Sequence, residues 1–147
     1  MSKSTSKSNK ISISFTGHDT FPLRHGWLEK AYHAIDLKHK NPFTADDAIV
    51  QFGVGKNMVN AIKHWAVATN FIEKTEEGYA TTEYAQNLIK NDIDPYIENI
   101  GTIWKIHYEL CKKSTNTTPY WIFSYLNNPT FSRDYLELKL QEFAVEN

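Results

Sequence analysis

The sequence predicts a mostly α (α+β) fold: a winged helix-turn-helix with a small β-hairpin wing, followed by additional C-terminal helices. Three observations predict it. A short helical pattern ending at Phe52 and a longer one from Lys56 are separated only by Gly53-Val54-Gly55, the sequence pattern of a helix-turn-helix. Strand-like residues around Glu76-Glu77-Gly78 follow the longer helix at once, in the place of a wing. From Pro95 onward the remaining apolar runs read as helices. The expected organisation is a disordered basic tail over 1–10, a winged-helix domain over 11–91, and a helical extension packed on it over 92–147.

Taken in order, 11-ISISF-15 alternates apolar and polar residues and reads as a short strand. Gly17 and Pro22 punctuate a structured loop, 17-GHDTFPLRHGW-27. From Arg24 to about Lys38, Trp27, Leu28, Ala31, Tyr32 and Ile35 share one face at helical spacing. The stretch 38-KHKNP-42 breaks that helix. Thr44 is positioned as an N-cap, with Asp46 and Asp47 in the first turn, where carboxylates suit the positive helix end. Ala48, Ile49 and Phe52 form the inner face of the short helix; Met58, Ile62, Trp65, Ala66 and Thr69 form that of the longer one, to about Asn70. Ile72 and Tyr79-Ala80-Thr81 are strand material around the Glu76-Glu77-Gly78 turn, where Gly78 tolerates positive φ. Thr82 caps the next helix, with Tyr84, Ala85 and Leu88 inward. A helix opened by Pro95 carries Ile97, Ile100, Ile103, Trp104 and His107 to near Lys113. Ser114–Thr118 is a polar linker, 120-YWIFSYL-126 after Pro119 a buried aromatic helix, and Ser132 caps a last helix with Tyr135, Leu136, Leu140 and Phe143.

Composition narrows the function classes. At 147 residues, with 41% hydrophobic, 22% charged and 14% aromatic residues, the chain suits one soluble domain or two very small ones. One cysteine, Cys111, excludes an internal disulfide framework and a multi-cysteine zinc site, and reads as a small buried hydrophobe. MSKSTSKSNK has no apolar stretch, and no run approaches membrane-spanning length, so a cytoplasmic location is expected. Net charge is −1, unevenly spread. Residues 1–43 hold seven Lys/Arg against three Asp/Glu; the counts are three against five over 44–81 and six against nine over 82–147. That weighs against a strongly basic nucleic-acid binder.

Gly53-Val54-Gly55-Lys56 lacks the spacing and the preceding strand of a phosphate-binding Walker loop, so no nucleotide cofactor is expected. The glycines serve instead as a sharp turn exposing a helix N-terminus. Asn57, Asn60 and His64 share one face, with Lys56, Lys63 and Lys74 around it. Asparagine can pair bidentately with an adenine edge, and lysine with guanine or phosphate. In helix-turn-helix docking the start of the second helix enters the major groove. These six residues are the candidate nucleic-acid contacts, against the plainer reading of a solvated helix face. Glu73, Glu76 and Glu77 in the wing oppose a firm phosphate grip there, so affinity should be modest and salt-sensitive. The basic tail, with Lys3, Lys7 and Lys10, is an auxiliary candidate. His18, Asp19 and Arg24, set among Phe15, Phe21 and Trp27, make either a locked loop with Asp19 and Arg24 paired, or a small anion or ligand pocket. The histidines show no metal-ligand spacing, and no nucleophile motif occurs, so no metal site and no catalysis are expected.

The stretches 15-FTGHDTFPLRHGWLEKAY-32, 47-DAIVQFGVGKNMVNAIKHW-65 and 119-PYWIFSYL-126 resemble a bacterial family described as domain of unknown function 4007. The likeness covers most of residues 15–145 and rests on its G-H-[DE]-T-F-P-L-R and G-V-G-K-N-M-V motifs. Members of that family are usually longer, which implies a truncated or single-domain member here. The resemblance implies a setting of DNA phosphorothioation and phage defence. It implies no reaction and supplies no catalytic residues. The expected function is a non-catalytic DNA-binding accessory or regulatory protein, with double-stranded DNA and system proteins as partners. The alternative is a protein–protein adaptor on a winged-helix scaffold, favoured by the acidic, aromatic C-terminal part.

Overall fold

A positive φ of 79° at Gly26 delays the first helix. α1 therefore spans Trp27–Asp36 rather than starting at Arg24, and it buries Trp27, Leu28, Ala31, Tyr32 and Ala34. The structure, a computed structural model, describes residues 11–36, 41–44 and 46–147. The Lys3, Lys7, Lys10 tail and positions 37–40, with most of the expected helix breaker, lie outside the described residues.

α2 (Ala48–Phe52) is a single short helix. Its N-cap is Asp47, without a side-chain cap, and the Thr44 hydroxyl bonds back to the Asn41 carbonyl (3.5 Å), so Thr44 does not cap it as the sequence predicts. Ala48 and Phe52, four apart and so on one face, are the residues α2 turns inward. Ile49, expected inside, is half exposed. Gly53 ends the helix in the left-handed region (φ 65°) and donates to the Ile49 and Val50 carbonyls, the conformation that glycine adopts without a Cβ penalty. The Lys30 ammonium closes this end by bonding the Phe52 carbonyl at 3.0 Å.

α3 (Lys56–Ala68) follows after Gly55. Val59, Ala61, Ile62 and Ala66 are buried, with Met58 and Trp65 packed at the edge of the same core. Asn70 (φ 63°) turns the chain, and the Phe71 N–H bonds the Ala66 carbonyl at 2.8 Å. Phe71 is fully buried and leads into the hairpin. β1 (Ile72–Thr75) and β2 (Gly78–Thr81) pair antiparallel, Lys74 opposite Tyr79. Thr82 caps α4 (Glu83–Ile89), accepting from the Ala85 N–H at 3.2 Å and donating to the Asn70 carbonyl at 2.6 Å. The core lies where α1, α2 and α3 meet under the hairpin. Phe43 is stacked on Phe52 (5.3 Å) and meets Tyr79 edge-on (5.5 Å).

α5 (Ile100–Cys111) begins later than Pro95 would have it. The Asp94 carboxylate accepts the Glu98 and Asn99 amides (3.0 and 3.1 Å), and Ile97 takes positive φ, so this segment is a tight turn. Asn99 supplies the cap, through the Gly101 N–H at 2.8 Å. α6 (Thr117–Tyr125) packs on α5 through one side only. Thr117 and Trp121 are buried there, while Phe123 and Tyr125 are exposed, contrary to the fully buried helix expected. α7 (Arg133–Glu146) starts at Ser132, whose hydroxyl accepts the Tyr135 N–H at 3.1 Å. Residues 11–15 form no strand. The Ser14 N–H and carbonyl bond the Thr117 hydroxyl (2.8 Å) and N–H (3.3 Å) instead of a strand neighbour. Among the described residues the architecture is thus seven helices and one two-stranded antiparallel sheet.

Candidate nucleic-acid interface

The three-residue break between α2 and α3 fixes how α3 is presented. Gly55 is its extended N-cap (φ −66°, ψ 161°) and brings no side chain to the first-turn amides. Lys56 and Asn57 are exposed on that turn. One turn on, Asn60, Lys63 and His64 are half-buried. They are not covered by packed core; they line a cavity of about 630 Å³. Its other walls are the 14–19 segment, Tyr79 of β2 and the turn after α5, including Lys113 and Asn116. Lys74 stands exposed across the hairpin from Tyr79.

The 17–24 loop is locked to α3 by geometry that glycine permits. Gly17 has φ 111°, and a Cβ there would lie 2.6 Å from His64 Nδ1. His18 stacks on Trp65 (5.6 Å, 15°) and meets His64 edge-on (5.7 Å). Asp19 and Thr20 both take positive φ, and the Trp65 indole N–H donates to the Phe21 carbonyl at 2.9 Å. Burial lowers the His64 pKa below the usual histidine value; His18 lowers it further, and Asp19 partly opposes this. A neutral His64 can accept a hydrogen bond as well as donate one.

The candidate loop residues part company. Asp19 lines the cavity with Asn60, Lys63 and His64. His18 lines a smaller neighbouring cavity of about 280 Å³, and its Nδ1 is buried without a hydrogen-bond partner among the described residues. Arg24 lies elsewhere, its guanidinium over the rings of Phe21 (5.9 Å) and Trp27 (5.5 Å). Among the described residues no ion pair joins Asp19 to Arg24, because the aromatic faces hold the guanidinium.

Sequence reasoning missed Lys113 and Asn116, which it placed at the end of a helix and inside a polar linker. Both close the C-terminal end of α3: the Lys113 ammonium bonds the Val67 carbonyl (3.1 Å) and the Asn116 amide the Ala68 carbonyl (3.4 Å). Burial lowers the Lys113 pKa, with Glu109 opposing. The signal in the sequence was a lysine and an amide flanking Ser114-Thr115, indistinguishable from a solvated turn. Among the described residues no group of three or more His, Cys, Asp or Glu is placed to hold a metal ion. No helix of the described residues is long and apolar enough to cross a membrane.

The profile of the family described as "Protein of unknown function (DUF4007)" matches residues 15–147, and the chain belongs to that family. A comparison with curated proteins found no match. Two solved structures are similar. The SspB crystal structure is 31% identical with a TM-score of 0.77, the match covering 90% of this chain and 43% of SspB. The magnesium ion-bound SspB crystal structure is 32% identical with a TM-score of 0.72, covering 88% and 42%. The chain therefore spans less than half the length of these SspB chains.

Proposed function

We propose that this DUF4007 member is a DNA-binding accessory or regulatory protein of a bacterial DNA-modification or phage-defence system, acting in the cytoplasm and without catalysis. α1 to α4 with the hairpin would form a winged helix-turn-helix, α3 being the reading helix and the hairpin the wing. The observation that carries this reading is the start of α3. A three-residue break ends in an uncapped turn, with Lys56 and Asn57 in solvent and Asn60 and Lys63 following on the same side. Lys74 would contact a phosphate from the hairpin, and His64 would hold the 17–19 loop against the reading face. The likeness to SspB supports a DNA-modification setting, as does the phosphorothioation context that the family resemblance implies.

The test is fluorescence anisotropy with plain and phosphorothioate-modified duplexes over a salt series. An Asn57→Ala, Asn60→Ala, Lys63→Ala triple variant should fold normally and lose duplex affinity. Unchanged binding at low salt removes this surface from consideration.

A second reading, a protein–protein adaptor, is favoured by one observation. Ile100, Ile103, Trp104 and Tyr108 of α5 and Phe123 of α6 are exposed, Ile100 and Trp104 by 68% and 66%. Apolar clusters of that kind mark association surfaces. Capture of a system protein abolished by Trp104→Asp, with no affinity for any duplex, would favour the adaptor.

A further inference from the structure

We propose that the cavity between α3, the 14–19 segment and the turn after α5 binds a single nucleotide, its phosphate held by Lys63 and Lys113. The cavity, about 630 Å³, falls within the roughly 300–1,000 Å³ of small-molecule sites. An inorganic phosphate would leave most of it empty. Two lysines, Lys63 and Lys113, and one carboxylate residue, Asp19, line it, so the lining favours a ligand carrying negative charge. Among the described residues neither lysine is in an ion pair. Glu109, the carboxylate nearest in sequence to Lys113, is bound by Lys105 (2.8 Å) and Lys112 (2.6 Å). The Lys113 ammonium gives a hydrogen bond to the Val67 carbonyl and has three protons to donate.

The rest of the lining suits a base and sugar. Val67, Ala68 and the Tyr79 ring offer an apolar wall, while Asn60 and the hydroxyls of Ser14 and Thr16 offer hydrogen bonds. Asp19 would repel a plain anion, but its carboxylate can accept from an exocyclic amine or a ring N–H, and each DNA base carries one or the other. A half-buried lysine whose proton is weakened by desolvation gains most from an anion that restores its lost solvation. The inference shares Asn60 and Lys63 with the proposed duplex surface but does not rest on it, because it concerns a recess and not a groove-filling helix.

Isothermal titration of the chain with dAMP, dGMP, dCMP and TMP, and with inorganic phosphate and deoxyadenosine as partial ligands, tests it. Nucleotides should bind about tenfold or more tightly than either partial ligand, and Lys63→Gln and Lys113→Gln should each weaken them about tenfold. Asn57→Ala, outside the cavity, should leave nucleotide affinity intact while weakening duplex binding. Circular dichroism reports whether each variant folds; if Lys113→Gln does not, because it caps α3, Lys63→Gln carries the test. Competition by a single-stranded oligonucleotide distinguishes an unpaired nucleotide within a strand from a free one as the natural source, and either is consistent with the site. No nucleotide binding, affinity no greater than for inorganic phosphate, or affinity indifferent to Lys63→Gln overturns the inference. Nucleotide binding without duplex binding upholds it and sinks the duplex surface; the reverse sinks it alone.

Discussion

Replacing Gly17 by alanine tests how firmly the 17–24 loop is held on α3. At φ 111° an L-residue is strained whatever the space, a cost of about 1–3 kcal/mol. The added Cβ would also sit 2.6 Å from His64 Nδ1, against roughly 3.5–4.0 Å for an ordinary carbon contact. His64 cannot swing freely aside, since its ring is edge-on to both His18 (5.7 Å) and Trp65 (5.1 Å). Overpacking of that kind adds about 1–3 kcal/mol. The loop has one escape: it can lift off. That forfeits the His18–Trp65 stack and the Trp65–Phe21 hydrogen bond, which together contribute about 1–3 kcal/mol. The cheaper route wins, so Gly17→Ala should lose about 2 kcal/mol and release the loop. Urea denaturation gives the first quantity. The indole N–H resonance of Trp65 reports the second, because it loses its carbonyl acceptor. A loss below about 0.5 kcal/mol, the usual range for featureless surface sites, with an unmoved Trp65 signal would refute the argument.

Thr82→Ala removes the α4 cap and the bond to the Asn70 carbonyl and should cost about 1–2 kcal/mol in urea denaturation, largely restored by Thr82→Ser. Tyr84 is raised to about 12, first by burial and then by Glu109 and Asp94, and its hydroxyl is buried with no hydrogen-bond partner among the described residues. Its folded pKa exceeds its unfolded one, so its contribution is intact at neutral pH and is lost as pH rises from about 10 through 12. Tyr84→Phe should be neutral or stabilising near pH 7 and should flatten the alkaline decline in melting temperature; an unchanged decline counts against the assignment. His64 has the opposite linkage. Its pKa is lowered on folding, so its contribution is present above the unfolded value of about 6.5 and is lost as pH falls below it. His64→Asn should therefore show a shallower fall in urea midpoint between pH 7 and pH 5 than the parent chain, and parallel falls would contradict it.

Local chemistry made much of the fold legible. The Thr82 and Ser132 caps, the Glu76-Glu77-Gly78 turn and the apolar face of α1 are set by neighbours a few residues away, and each is where the sequence places it. α3 buries Ile62 and Ala66 as placed but also Val59 and Ala61, leaving Met58 and Trp65 at the edge. Misreadings arose where a distant partner decides. Ser14 looks like strand because alternation does not reveal that its backbone pairs with Thr117. Pro95 looks like a helix start because the Asp94 carboxylate bonds Glu98 and Asn99 only once the turn is formed. The same division holds at the candidate site. Asn57 and Asn60 were visible from helical spacing, but Lys113 reaches the cavity across 50 positions from Lys63. No periodicity encodes that approach. Arg24 was set beside Asp19 by proximity in the chain, and two aromatic faces hold it instead.

Electrostatics then sets how strongly such a surface can hold a duplex. The hairpin exposes Glu73 and Glu76 on either side of Lys74, so a phosphate contact from Lys74 is weakened by repulsion and not prevented by it. That leaves Lys56, Lys63 and Lys74 as the cations of the proposed face. Three neutralised phosphates give a slope of log affinity against log salt near −2.7, so affinity should fall about 40-fold between roughly 50 and 200 mM salt. If Lys3, Lys7 and Lys10 also engage, the slope should approach about −5, and deleting residues 1–10 should return it to the shallower value. Lys56→Gln should lower the slope by about one unit at every sequence tested, since a phosphate contact carries no base identity. A slope indifferent to Lys56→Gln and to loss of the tail would place the cations that hold DNA on another face, and the start of α3 would no longer be the reader.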